Sequence, residues 1–270
     1  MKSRLLVAAV GIPLLLVILL LCPPVVTGVA LAALCAIAAN ELLKTTGILA
    51  HKRMVVYSMI FAVLMVLWSY VGCPLRPFVI GVVIFALLLF CEALAAYPEV
   101  KFYGVLAGLF AGIAIPMCLS SVLRILMGDF GRHLVLVPIL IPFIADAGGY
   151  FAGMFFGKHK MAPVLSPKKT IEGAVGCFVA GILGMMIYGA VMQFGFGLHF
   201  NYISGAIIGL IGSAVSIIGD LSFSMIKREH GIKDYGTLFR AHGGVLDRFD
   251  SVIFAAPIVE LLLMMIPVLS

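Results

Sequence analysis

The sequence predicts an all-α, polytopic membrane protein with about nine transmembrane helices. Of its 270 residues, 63% are hydrophobic and 11% are charged, and the mean hydropathy is +1.22. Soluble domains carry roughly a quarter charged residues, so this chain has too much apolar surface for a water-soluble core. Apolar runs of roughly 20 residues recur along the chain, the length of a helix that crosses about 30 Å of hydrocarbon. Alternating barrel segments are absent, so the spans are predicted to be helices.

Nine apolar runs define the predicted spans. The first two, Leu5–Leu21 and Val25–Leu43, are joined by the turn Cys22-Pro23-Pro24. The first resembles a signal peptide, but its apolar run is long and a second span follows at once, so we expect a retained helix. The others are Val55–Val71, Phe78–Ala96, Tyr103–Leu123, Leu134–Phe151, Gly173–Phe194, Ile203–Ile218 and Val252–Leu269. No repeat or linker divides them, so residues 1–270 are predicted to form one membrane domain.

The basic residues predict the orientation. With a cytoplasmic N-terminus, 15 of the 18 Lys and Arg residues fall on the inner side, and only Arg76, Arg124 and Arg132 fall outside. This distribution follows the positive-inside rule. We therefore expect a multi-pass protein of the cell membrane, the inner or cytoplasmic membrane. The net charge of +6 is then a topology signal, and we expect no nucleic-acid partner.

The six cysteines give no indication of a zinc site. None forms a Cys-x-x-Cys pair or lies at ligand spacing from a histidine, which are the usual zinc patterns. Cys22 and Cys73 both fall on the outer side and could pair. The alternative is that they are small apolar fillers.

The acidic residue Asp146 falls inside the sixth predicted span. Ionisable side chains in the membrane are costly and are usually functional or paired. Glycines follow it at positions 148, 149 and 153, and glycine lets another backbone or a ligand approach closely. We interpret Asp146 as functional, with a structural hydrogen bond to a neighbouring helix as the alternative.

Three other acids lie in predicted spans. Glu41 and Glu260 lie near helix ends, where a long side chain can extend to water; a functional role is the alternative. Glu92 does not fit this description, and the sequence alone gives no interpretation of it.

The segment before the seventh span is predicted to be a loop that contains helix-start residues and lysines. Ser166-Pro167 and Thr170 are helix-start signals, and Glu172 falls in the first turn. Free N–H groups and the positive end of the helix dipole, flanked by Lys168 and Lys169, would suit a phosphate. Ordinary positive-inside anchoring explains the two earlier lysines of this segment, but not the tight Ser-Pro-Lys-Lys-Thr grouping.

Residues 220–250 hold the one concentrated run of charge. Its five acids are Asp220, Glu229, Asp234, Asp247 and Asp250, and its five bases are Lys227, Arg228, Lys233, Arg240 and Arg248. A purely basic run would suggest a lipid-surface or nucleic-acid contact. The balanced run suggests metal ions and a polyphosphate at the membrane edge. A solvated loop with salt bridges is the alternative.

The spacing within this run brings polar groups together. If the eighth helix continues past its apolar part, Asp220, Ser224 and Lys227 share one face at i, i+4 and i+7. Asp247 and Asp250, at i and i+3, share a face at the start of the last helix. Two carboxylate-bearing helix ends that face each other can hold hard divalent ions, which prefer oxygen ligands.

Three groups of residues in the run occur at recognisable spacing. They are Ser224-x-x-Lys227-Arg228, then Lys233-Asp234-x-Gly236, then His242-Gly243-Gly244-x-x-Asp247-Arg248-x-Asp250. This pattern resembles the signature of the phosphatidate cytidylyltransferases, or CDP-diacylglycerol synthases. The resemblance covers most of the chain and is most specific over residues 142–173 and 219–251. Arg240-Ala241 stand where the family usually has Pro-Gly.

The resemblance implies that CTP and phosphatidate react to give CDP-diacylglycerol and pyrophosphate with Mg²⁺, in a two-ion site. It makes Asp220 and Asp247 the foremost metal ligands, with Asp250 and Asp146 next, and places Lys227 with the catalytic residues. The implied substrate-binding residues are Ser166, Lys168, Lys169, Thr170, Ser224, Arg228, Lys233, Asp234, His242, Gly243, Gly244 and Arg248. CTP, phosphatidate and membrane lipids are the expected partners, and a homodimer is left open.

Three other functions compete with this interpretation. A transporter using Asp146 and Asp220 predicts inverted repeats and charges near mid-bilayer, but no repeat is found and the charges cluster at one face. A CTP-dependent enzyme acting on another lipid phosphate would keep the same chemistry. A non-catalytic scaffold would not need paired carboxylates.

Overall fold

The computed structural model describes residues 2–47, 51–72, 74–236 and 243–270, with side chains from residue 11 onward. Cys73, Arg240, Ala241 and His242 lie outside the described residues. The described elements, in chain order, are α1 (Lys2–Leu20), α2 (Pro24–Thr45), α3 (Lys52–Val71), α4 (Leu75–Ala95), α5 (Phe102–Leu109), a π-helical turn (Phe110–Ala114), α6 (Ile115–Met127), α7 (Gly131–Leu134), α8 (Val137–Phe156), β1 (Lys160–Ala162), β2 (Ser166–Thr170), α9 (Ile171–Phe196), α10 (Tyr202–Glu229) and α11 (Leu246–Met265).

Seven helical segments in the described residues are long and apolar enough to cross a membrane. They are Pro24–Thr45, Lys52–Val71, Leu75–Ala95, Phe102–Met127, Gly131–Phe156, Ile171–Phe196 and Tyr202–Glu229. Each coincides with one of the second to eighth predicted spans. The all-α, multi-pass class is therefore confirmed.

The first and last predicted spans are helical but differ from these seven. In α1 the apolar part whose side chains are described, Gly11–Leu20, is short. α11 has 20 residues but carries Asp247, Arg248, Asp250 and Glu260, and charged side chains are costly in hydrocarbon. The described part of the chain thus has seven helices of spanning length and composition, where the sequence predicted about nine.

One compact unit comprises residues 1–124 and 230–249. Within it α2 packs along α3, which also contacts α4 and the π-helical turn. Gly112 in that turn makes room for the ring of Phe85, since a Cβ there would lie 2.7 Å from the ring. This unit contains Glu41 on α2 and the first residues of α11.

The second compact unit comprises residues 125–229 and 250–270. Here α9 packs against both α8 and α10. β1 and β2 form an antiparallel hairpin between α8 and α9, with Lys160 opposite Thr170 and Ala162 opposite Ser166. The sequence predicted a loop here, because strands of three and five residues are too short for a recognisable pattern.

Small residues bring α8 and α9 into backbone contact. A Cβ atom at Gly148 would lie 2.2 Å from the Cβ of Ala180, and one at Gly176 would lie 2.2 Å from the Cβ of Ala152. Contacts of this kind are a common means of helix association in membranes. The predicted close approach of a second backbone is confirmed, and it fixes the part of α8 that carries Asp146 against α9.

Candidate active site

Three predicted site residues lie on one face of α10. The helix continues to Glu229, as predicted, so Asp220, Ser224 and Lys227 share a face. Ser224 and Lys227 are each only 8% exposed. Burial of these side chains argues against the solvated loop that was the alternative interpretation of the charged run.

A glycine brings the start of α11 close to this face. A Cβ at Gly219 would lie 2.8 Å from the backbone oxygen of Asp250, so only glycine permits the contact. The Nζ atom of Lys227 lies 3.8 Å from Oδ2 of Asp250, and Asp250 is also 8% exposed. Removing one partner of such a buried pair typically costs about 3–5 kcal/mol, because the other charge is left uncompensated.

The hairpin supplies a second basic residue to the same region. Lys169, on β2, forms an ion pair with Asp220. The next residue, Thr170, caps α9: its Oγ1 accepts a hydrogen bond from the Gly173 N–H at 3.1 Å. The predicted helix-start signal is confirmed at Thr170, and the cap fixes where Lys169 enters the region. The helix start predicted at Ser166-Pro167 is wrong, because these residues lie in β2 and α9 begins at Ile171.

A cavity of about 420 Å³ opens at this point, and both polar and apolar side chains line it. The polar lining residues are Asp146, Ser166, Lys168, Lys169, Thr170 and Asp220. The apolar ones include Tyr150, Met154, Met161, Cys177 and Ile217. Asp146 is exposed to this cavity, and its functional role stays a prediction.

Three carboxylates of the second unit interact electrostatically: Asp146, Asp220 and Asp250. Carboxylate oxygens are the donors that Mg²⁺ prefers, so the chemistry of this set fits the ion. In the conformation described for residues 11–47, 51–72, 74–236 and 243–270, no three acid, His or Cys side chains converge to ligand distance. Lys169 and Lys227 pair with two of the three carboxylates instead.

Glu172, in the first turn of α9, makes contacts that the sequence did not predict. The Glu172 carboxylate accepts hydrogen bonds from the N–H groups of Lys158 at 3.1 Å and His159 at 3.3 Å. It also lies 2.6 Å from Nδ1 of His159. Glu172 therefore holds the entrance to the hairpin, and the phosphate seat at this helix start stays a prediction.

Asp247 lies in the first unit, where it organises the backbone around it. Its Oδ2 atom accepts hydrogen bonds from the N–H groups of Tyr235 at 2.8 Å and Gly244 at 2.9 Å. Gly243 has a φ of +79°, and a Cβ there would lie 2.6 Å from Oδ2 of Asp247. The Gly243-Gly244 pair therefore has a structural reason besides the substrate-binding role that the resemblance implies.

Glu41 is a residue whose position the sequence interpretation missed. It is 5% exposed, and its Oε1 and Oε2 atoms accept hydrogen bonds from the N–H groups of Val245 at 3.0 Å and Leu246 at 2.9 Å. The expectation that it extends to water is wrong. An acid in a span without a local partner was the only available signal, because the partners are 204 and 205 positions away.

Glu92, on α4, contacts two polar side chains of α3. Its Oε1 atom accepts a hydrogen bond from the Tyr57 hydroxyl at 3.3 Å and lies 3.6 Å from Nη1 of Arg53. These contacts join α3 to α4. They account for the presence of Glu92 in a predicted span without any catalytic role.

The other predicted binding residues are more exposed. Lys233, Asp234 and Arg248 are exposed in the first unit. Arg228, at the end of α10, donates from Nε to the Leu165 carbonyl oxygen at 3.3 Å, so it ties α10 to the hairpin. The roles of these four residues in phosphate binding stay predictions.

A family model matches most of this chain, and individual relatives match about half of it. A model of the cytidylyltransferase family matches residues 2–266. The chain is 41% identical over 133 residues to the phosphatidate cytidylyltransferase of Staphylococcus epidermidis, covering 49% of this chain and 50% of that protein. For the proteins of the same name from Staphylococcus saprophyticus and Staphylococcus aureus, the values are 38% over 136 residues and 40% over 133 residues. The matched part spans about half the length of each relative. The chain belongs to the cytidylyltransferase family.

Proposed function

We propose that this protein is a phosphatidate cytidylyltransferase, which transfers CMP from CTP to phosphatidate and releases pyrophosphate. The observation that carries the proposal is the cavity of the second unit, which is lined by carboxylates and lysines together with apolar side chains. A lipid phosphate has a charged headgroup that suits the charged side chains and acyl chains that suit the apolar ones. Family membership and the names of the relatives support the same reaction.

In the proposed reaction, a phosphate oxygen of phosphatidate attacks the α-phosphorus of CTP. A new P–O bond forms, and the bond from the α-phosphorus to the oxygen that bridges to the β-phosphorus breaks. Pyrophosphate leaves with that bond's electron pair. The attacking oxygen is already anionic, so no strong general base is required.

The main obstacle is repulsion between two polyanions, and the lysines address it. Lys168 and Lys169 line the cavity, and Lys227 lies beside Asp250. Ammonium groups held in a partly dehydrated site stabilise the charge that develops on the phosphates. Mg²⁺ bound to Asp220, Asp250 and Asp146 would supply further charge neutralisation and alignment.

The test uses purified protein with labelled CTP, phosphatidate and Mg²⁺. We expect label to enter the organic phase, and we expect saturating chelator to abolish this incorporation because the carboxylates alone would repel CTP. Activity that survives the chelator would contradict the metal requirement. Label that enters the organic phase with a different lipid phosphate but not with phosphatidate would indicate a related enzyme, and no label at all would favour a transporter.

We further propose that the hairpin and the cavity lie on the cytoplasmic side of the cell membrane, on the basis of the lysine distribution. In a background without native cysteines, Lys158→Cys and Lys160→Cys should resist an impermeant thiol reagent in intact cells. Asp129→Cys, predicted to lie outside, is the matched positive control. Labelling of either hairpin position from outside would contradict this orientation.

A further inference from the structure

We infer that Glu41 is a positioning residue for the reaction, and that it holds the segment carrying Asp247 in its working conformation. The inference rests on the proposed function, and concerns a residue on α2, far in sequence from the charged run. It is carried by the geometry of the first unit alone.

Two carboxylates satisfy three consecutive backbone N–H groups at the start of α11. Asp247 accepts from Gly244, and Glu41 accepts from Val245 and Leu246. The first N–H groups of a helix have no partner within the helix. A carboxylate at this end also interacts favourably with the helix dipole. Glu41 therefore acts as a cap for α11 supplied by another helix.

The same carboxylate lies against both glycines that bracket residues 237–242. A Cβ atom at Gly236 would lie 2.4 Å from Oε1 of Glu41, and one at Gly244 would lie 2.4 Å from each of its carboxylate oxygens. These two positions can approach Glu41 only as glycines. Glu41 thus fixes the chain on both sides of this stretch of the signature.

The contacts assign a positioning role, not direct chemistry. Both oxygens of Glu41 already accept backbone hydrogen bonds, and the side chain is buried. Asp247 follows Leu246 directly in sequence. An error of about 1 Å in the placement of a catalytic group can cost roughly 100-fold in rate. A shift of this backbone would displace Asp247 and would therefore lower the rate.

The primary variant is Glu41→Gln, which keeps the shape of the side chain. Its amide oxygen can accept one of the two hydrogen bonds, but its NH₂ group then faces a second donor. We expect kcat to fall at least roughly tenfold, while KM for CTP changes less than about threefold. Hydrogen exchange at the Val245 and Leu246 amides should accelerate, and exchange in the other helices should not. Glu92→Gln is the matched control and should leave both readouts unchanged.

A second test perturbs the contact from the other side. Gly244→Ala places a methyl group against the Glu41 carboxylate, and we expect a loss of kcat similar to that of Glu41→Gln. Glu41→Ala removes the obstructing carboxylate. The double variant, Glu41→Ala with Gly244→Ala, should therefore be no slower than Glu41→Ala alone, whereas independent effects would multiply.

The kcat and the hydrogen exchange of Glu41→Gln together support or overturn the positioning role of Glu41. Unchanged kcat in Glu41→Gln overturns it, even if the two amides exchange faster. Faster exchange throughout the helices would mean that Glu41 maintains the fold in general, which also overturns it. If the wild-type protein transfers no label to lipid, the proposed function has failed, and local exchange at Val245 and Leu246 still reports whether Glu41 holds this backbone.

Discussion

Replacing Asp220 with Asn should lower the transfer of CTP label into lipid at least roughly 100-fold, equal to about 2.7 kcal/mol of barrier. The amide keeps the shape of the side chain but removes its negative charge. Asp220 lines the cavity, pairs with Lys169 and interacts with two further carboxylates. We expect the variant to remain folded in the membrane fraction, measured by its yield and its elution after detergent extraction.

Two comparisons isolate the role of the Asp220 charge. Asp129→Asn makes the same change at an exposed position of the same unit and should keep wild-type activity. Adding Lys169→Met to Asp220→Asn removes the ammonium group that has lost its partner. Recovery of activity in this double variant would attribute the loss to an unpaired lysine. Retention of more than about a tenth of the activity in Asp220→Asn, about 1.4 kcal/mol, would argue against a direct role.

Local patterns predicted the parts of the site that lie on one element. The positions of Asp220, Ser224 and Lys227 followed from the helical period, since α10 continues to Glu229. The glycines after Asp146 predicted a close backbone approach, which Gly176 of α9 makes at Gly148. These features depend on neighbours three to seven positions apart or on the size of one residue.

Contacts between distant segments could not be predicted in this way. The pairing of Lys169 with Asp220 depends on a two-stranded hairpin that the sequence did not indicate. The contact of Glu41 with Leu246 joins residues 205 positions apart. In both cases the partner is chosen by how the helices pack, and one sequence does not contain that information in its local pattern.

The number of spans shows a related limit. The apolar run Val252–Leu269 predicted a ninth span, and the charge spacing placed Asp247 and Asp250 at the start of the same helix. That helix is α11, which begins at Leu246 and contains three charged residues of the run 220–250, namely Asp247, Arg248 and Asp250. The charged residues that suggest a functional site and the apolar run that suggests a membrane span therefore lie on one helix. The charges oppose burial of that helix in hydrocarbon.

The second large effect is expected at Asp247, and two substitutions there separate its charge from its backbone contacts. In Asp247→Asn the amide oxygen can still accept hydrogen bonds from Tyr235 and Gly244, which Oδ2 accepts in the wild type. In Asp247→Ala both N–H groups lose this acceptor. If the charge takes part in the reaction, both variants should lose at least roughly 100-fold in kcat, measured by label in the lipid product.

Hydrogen exchange should distinguish the same two variants. We expect faster exchange at the Tyr235 and Gly244 amides in Asp247→Ala but not in Asp247→Asn, because only alanine leaves these donors without the carboxylate oxygen. Near-normal activity in Asp247→Asn with a large loss in Asp247→Ala would reduce Asp247 to an organiser of the backbone. That outcome would remove it from the metal ligands that the resemblance implies and would leave the carboxylates of the second unit to hold the ion.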